Sequence, residues 1–271
     1  MRPLLPAFYL RTFIVSLMLI IFVSCNHTPT DWQLVWNDEF NYTGLPDTSK
    51  WNFCTEGNTS GWGNNELQHY TSLRPENAFV NGQHLSITAI KEIWNDAAYT
   101  SARLSTKHKG DWLYGRIEVC ARIPAGRGIW PAIWMLPTDN TYGHWPRSGE
   151  IDIMEHVGYE PDSIYTTIHT EAFNHNIGTQ KGKSTYINNC ETDFHIYAIE
   201  WSPSIINFFI DDKCVYNFKN TGQGYQQWPF DKRFHVILNV AVGGNWGARQ
   251  GVNPDIFPAT MLVDYVRMYQ K

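Results

Sequence analysis

The chain has 271 residues, 43% of them hydrophobic and 15% aromatic, with 21 Lys and Arg against 26 Asp and Glu for a net charge of −5. That length supports one large core. Mild acidity with no basic stripe excludes nucleic acid as a partner, since nothing is arranged to neutralise phosphates, and a neutral polymer fits better.

In chain order, residues 1–24 come first, with Arg2, Arg11, no acid, and an apolar run over 13–23 that stops at Ser24-Cys25. This is the pattern of an export signal. The run is shorter than the roughly 20 residues a spanning helix needs. A cysteine directly after it resembles the lipobox of bacterial lipoproteins, which implies a lipid on Cys25, residues 25–31 as a polar tether, and a domain over 32–271. The expected location is the outer membrane or cell surface, the alternative being a plain signal peptide and a periplasmic or secreted protein. Without the signal the count is 19 basic against 26 acidic residues, or −7.

Short β-type runs then follow one another with turn signals between them, at 84–90, 115–123, 150–157, 164–169 and 234–242. Runs at 194–201, 205–211 and 214–218 are separated by Ser202-Pro203-Ser204 and Asp212-Lys213, which predicts successive antiparallel hairpins. No long segment has a helical period. Many short strands without a fixed repeat predict an all-β jelly-roll sandwich of two antiparallel sheets. Stretches rich in Gly, Asn and Pro at 56–65, 138–148 and 243–258 predict loops that shape a groove. Cys54, Cys120, Cys190 and Cys214 lack metal-ligand spacing and allow two disulfides by any of three connectivities. For Cys120, inside an alternating apolar stretch, a buried thiol is the alternative.

The informative segment is Gly149-Glu150-Ile151-Asp152-Ile153-Met154-Glu155-His156. In a strand, residues i and i+2 share a face, so Glu150 and Asp152 point one way while Ile151 and Ile153 point into the core. Glu155, at i+5, faces away unless one extra residue forms a β-bulge around Ile153-Met154. With that bulge the Cα atoms of Glu150 and Glu155 lie about four pleat steps apart, roughly 13 Å, and inward-leaning side chains close the gap to ~5 Å. That gap suits a nucleophile and an acid acting on one glycosidic bond with retained configuration. Asp152 between them tunes its neighbour's charge. The alternatives are a solvated acidic face or a cation site.

At this segment the sequence resembles glycoside hydrolase family 16, whose signature is E-x-D-x-x-E in the bulged form. The likeness extends to Trp62-Gly63-Asn64-Asn65-Glu66-Leu67-Gln68-His69-Tyr70-Thr71, Tyr99-Thr100-Ser101-Ala102-Arg103, Gly128-Ile129-Trp130-Pro131-Ala132-Ile133-Trp134, Leu238-Asn239-Val240-Ala241-Val242-Gly243-Gly244-Asn245-Trp246 and the terminal Val263-Asp264-Tyr265-Val266-Arg267. The resemblance implies a cleft on a concave sheet, with Glu150 as nucleophile, Asp152 as assisting acid and Glu155 as general acid/base. The first of these blocks is similar to the laminarinase-like branch, which cuts β-1,3-glucan chains internally, with His69 where a tyrosine is common. A mixed-linkage glucan or algal galactan as substrate, or a non-catalytic glucan-binding lectin, are the alternatives.

A glucan cleft needs aromatic planes for sugar C–H faces and planar polar partners for hydroxyls. Trp130 and Trp134, four apart, share one face, and the resemblance puts them in the cleft rather than the core. Trp246, after Gly243-Gly244, reads as a loop platform. The resemblance places Asn65, Glu66 and Arg103 near the non-reducing subsites, the alternative being loop capping. His169, ending its strand, is set to meet Asp152 or a sugar hydroxyl. The resemblance also implies a structural Ca2+ away from the cleft, near Glu39, Gly82 and Asp264, held largely by backbone carbonyls. It implies no cofactor for the reaction, a β-glucan polysaccharide as partner, and a monomer.

Overall fold

A computed structural model describes residues 31–271. The proposed signal, Cys25 and most of the tether lie outside the described residues. Two antiparallel sheets stack face to face. The concave sheet contains, in chain order, β1 (Asn52–Phe53), β2 (Arg103–Ser105), β3 (Ile129–Pro137), β4 (Glu150–Glu155), β5 (Ser163–His169), β6 (Lys181–Tyr186) and β7 (Phe234–Val242). Their spatial order is β6-β5-β4-β3-β7-β2-β1. The outer sheet includes Leu85–Trp94, Gly115–Arg122, the hairpins His195–Trp201, Ile205–Ile210 and Lys213–Lys219, and the terminal strand Ala259–Gln270.

Alternation dictates the layers. Ile133 and Met135 from β3, Ile151 and Ile153 from β4, and Val236, Leu238 and Val240 from β7 are fully buried. They belong to one apolar cluster with Ile117, Val119, Tyr197 and Ile199 of the outer sheet. Each such aliphatic side chain contributes about 1.5–3 kcal/mol by leaving water. Trp201 closes one end, edge to face with Phe234 at 5.5 Å, its Nε1 donating to the Phe230 carbonyl at 3.0 Å. All nine residues of β7 are buried, because the interior covers one face and the cleft furniture the other. β6 ends the concave sheet with Lys181 and Lys183, mostly exposed, a charged edge that discourages further strand pairing.

The two disulfides that the cysteine count allows are not formed: Cys54, Cys120, Cys190 and Cys214 are free thiols. Cys54 follows β1 on the concave sheet, whereas Cys120 and Cys214 lie on outer-sheet strands. For Cys120 the buried-thiol alternative holds.

Candidate active site

The bulge is present. On one side of β4, Met154 pairs with Ile133 and Asp152 with Trp134, leaving Ile153 as the extra residue. On the other side, Asp152 pairs with Thr167 and Glu155 with Tyr165, so three steps on β4 match two on β5. The insertion turns Glu155 onto the face of Glu150 and Asp152 while Ile153 and Met154 both stay buried. All three acids line one cavity of about 1130 Å3 on the concave sheet.

Each glutamate receives an indole N–H. Trp145 Nε1 donates to Glu150 Oε2 at 2.8 Å, and Trp130 Nε1 donates to Glu155 Oε1 at 3.1 Å. His169 Nε2 lies 3.4 Å from Asp152 Oδ2 and 4.0 Å from Glu150 Oε1. Burial, and then repulsion from Asp152, push Glu150 up to about 8. Burial, and then Glu150, push Glu155 up to about 7. Asp152 is driven well above the usual carboxylate range by burial and by Glu155. Three acids so close cannot all ionise, and their protons belong to the cluster rather than to single residues. The Trp145 N–H and the nearby His169 favour the anion on Glu150, whereas Asp152 opposes it. Glu155 has the Trp130 N–H and the same nearby imidazole, and burial leaves either glutamate able to hold a proton.

Around the acids, Trp134 Nε1 donates to Asn239 Oδ1 at 2.7 Å, fixing its plane in the floor. The Arg103 guanidinium lies between the Trp62 and Trp134 rings, 4.3 and 4.7 Å from their centroids. Glu66 accepts from Gln68 at 2.7 Å and from Asn64 at 3.2 Å, and burial raises its pKa. Trp130, Trp134, Glu66 and Arg103 thus line the groove as expected.

Two expected residues sit differently, and His169 meets Asp152, one of the two partners expected for it. Asn65 is exposed and donates to Asn245 Oδ1 at 2.8 Å; Asn64 lines the groove instead. Trp246 lies outside the lining, edge to face with Trp130 at 5.5 Å and Tyr165 at 4.9 Å, so it backs the platform rather than forming one. His169 touches Asp152 from behind the lining, its side chain 8% exposed. Trp145, for which the sequence leaves cleft lining and simple packing equally open, and His175, which it does not single out, meet beside Glu150 with ring centroids 5.0 Å apart. A Trp-Pro step in a loop of 138–148 facing the acidic strand was the available signal for the first. His175 left none.

Of the suggested cation ligands, Glu39 is committed elsewhere: Arg267 clamps its carboxylate with bonds of 2.8 and 2.7 Å. Asp264 is half exposed, 3.8 Å from His84. A cation there fits only with the main-chain carbonyls of Glu39 and Gly82 beside the Asp264 carboxylate. Among the described residues, the one three-residue cluster of metal-liganding type is Glu150, Asp152 and His169, which belongs to the acidic site.

A groove floored by tryptophans, with two proton-sharing glutamates on one strand face, defines a glycoside hydrolase of the two-carboxylate type. The profile of the glycosyl hydrolases family 16 matches residues 65–267, and the chain belongs to that family. It is 51% identical to a beta-glucanase of Rhodothermus marinus over 94% of this chain and 93% of the relative. The crystal structure of the laminarinase from Rhodothermus marinus superposes with a TM-score of 0.86 at 53% identity, covering 88% of this chain and 97% of the other. SCLam, described as a non-specific endo-beta-1,3(4)-glucanase and co-crystallised with a glucan oligosaccharide, superposes with a TM-score of 0.86 at 45% identity, covering 90% and 96%.

Proposed function

We propose that the protein is an endo-acting β-1,3-glucanase that retains anomeric configuration. The bulged strand carries this reading, because it sets Glu150 and Glu155 on one face of an open groove, each with its own indole donor. Glu150 attacks the anomeric carbon while Glu155 protonates the departing oxygen, giving a glycosyl-enzyme ester. Glu155 then takes a proton from water as that water opens the ester. The groove is open along the sheet, which suits cutting within a chain. No cofactor enters these steps.

Laminarin, lichenan and agarose digested side by side, with linkage analysis of the products, test the substrate. Release of β-1,3-linked oligosaccharides from laminarin, with β-configured initial products by NMR, is expected. Products from agarose alone refute the reading. Cleavage of mixed-linkage lichenan as well is the second outcome, favoured by the likeness to a non-specific endo-β-1,3(4)-glucanase. Laminarin binding without release of reducing ends would identify a lectin.

The remaining proposals follow from sequence and chemistry. The protein acts as a monomer anchored at the outer membrane or cell surface through lipid on Cys25. Mass spectrometry of the mature N-terminus, with Cys25→Ala as control, tests the lipid. A structural Ca2+ at Asp264 with the Glu39 and Gly82 carbonyls is tested by Tm with and without EGTA; no change removes it.

A further inference from the structure

One margin of the groove carries positive charge that the proposed reaction does not use. His235 is the second residue of β7, whereas Gly243, bridged to Glu66, follows its end, so the two mark opposite margins roughly 25 Å apart. At the His235 margin stand Lys107 and His108, both exposed, and Lys109, with Arg103 in the floor beside them. Lys109 Nζ is spent on the Trp51 carbonyl at 2.9 Å, and His108 lies 3.7 Å from Asp111. Lys107 Nζ has no partner among the described residues, and Arg103 has no acceptor, its Nε being buried and unpaired.

The buried Glu66 carboxylate partly offsets Arg103, whereas no anion is placed to cancel Lys107. Asp111 accepts from the His108 amide at 2.9 Å, and Glu56 accepts from the Thr55 amide at 2.9 Å, yet neither reaches Lys107 or Arg103. His235 is 4% exposed with Nδ1 buried and unpartnered, a polar atom against the cavity that nothing in the protein satisfies. Burial, and then Lys107, Arg103 and His108, hold it neutral, pushed down to about 3. A free lysine and an orphan imidazole beside a neutral glucan are unexplained by hydroxyl recognition alone, because a buried polar atom left without a partner costs free energy. β2 stands three strands from β4, roughly 14 Å, a span of about three sugar units.

We propose that the margin formed by Lys107, His108 and His235 receives an anionic substituent, a sulfate ester or a carboxylate, on a glycan unit about three sugars from the bond cut. This rests on the endo-glucanase reading. The test compares laminaripentaose with laminaripentaose carrying one 6-O-sulfate or one 6-carboxylate on either terminal unit. At low ionic strength, one positional isomer should show a KM about fivefold lower than the neutral sugar, with the difference closing in ~0.5 M NaCl. Lys107→Gln should erase the difference and leave the neutral sugar's kinetics unchanged. A gain with sulfate only, or carboxylate only, identifies the group. Neutral cleavage with no gain for any charged isomer, or a gain that survives Lys107→Gln, overturns the proposal and leaves the enzymatic reading standing; failure to cleave the neutral sugar defeats that reading instead.

Discussion

Replacing Trp145 with Phe isolates the donor on the nucleophile. An aromatic ring beside His175 remains, while the 2.8 Å bond from Nε1 to Glu150 Oε2 is lost. A hydrogen bond to a charged group is worth about 1.5–3 kcal/mol. Trp145 is 37% exposed, so water partly replaces the lost donor and the lower end, about 1.5 kcal/mol, applies. The donor favours the anion, so its removal raises the Glu150 pKa by about one unit. Glu150 must be ionised to attack, so the acid limb of kcat/KM moves up by about one pH unit, and on that limb the rate falls about tenfold. The basic limb, set by loss of the Glu155 proton, stays in place, because the Trp130 bond is untouched. Reducing-sugar release from laminarin over pH 4–9 gives both limbs. An unmoved acid limb refutes the role given to Trp145, and movement of both limbs equally refutes the division of labour between the glutamates.

Glu150→Ser and Glu155→Ala should each abolish turnover with the fold intact by circular dichroism. Azide should rescue the first as a glycosyl azide of inverted configuration and the second as one of retained configuration; identical stereochemistry from both contradicts the assignment. Asp152→Asn should slow the reaction without altering stereochemistry, and should also change the pH dependence of stability. Asp152 has its folded pKa raised, so its contribution to stability is fully present below its unfolded value of about 3.9 and is lost as pH rises toward the folded value. The Asn variant should therefore gain Tm over wild type at pH 8 and not at pH 4; the opposite trend rules out the burial argument. Gly158→Ala sets a Cβ 1.9 Å from the Gly126 carbonyl oxygen, a backbone clash no rotamer relieves. Overpacking of this kind costs about 1–3 kcal/mol, and a fall in Tm of about 2–4 °C for each kcal/mol is expected by calorimetry.

The strands were legible because burial imposes period two on them: 234–242 reproduces β7 residue for residue, and the hairpins over 194–218 differ at their ends by one residue. The bulge was legible by counting, since three acids at 150, 152 and 155 serve one site only if a residue is inserted between the last two. Loop side chains were less so. In the segment that follows Gly57, Gly61, Trp62 and Asn65 all have positive φ, and such reversals decide whether Asn64 or Asn65 faces the groove. Composition does not encode that choice. Trp246 was read from its glycines, which give it freedom but no direction; its direction comes from Trp130 and Tyr165, distant in sequence. Cysteine number left bridges and free thiols both open for a related reason, since it says nothing about which sheet each thiol occupies.

The added residue in β4 also constrains how such a site can change. Whether a strand residue points up or down is a matter of odd or even count, so substitution alone has no means of carrying Glu155 to the other side. Only an insertion or deletion does that, and deleting Ile153 or Met154 would send an acid into the interior in a single step. Groove-lining side chains are free to drift and retune which sugar is accepted, while the pair that breaks the bond is held by an integer.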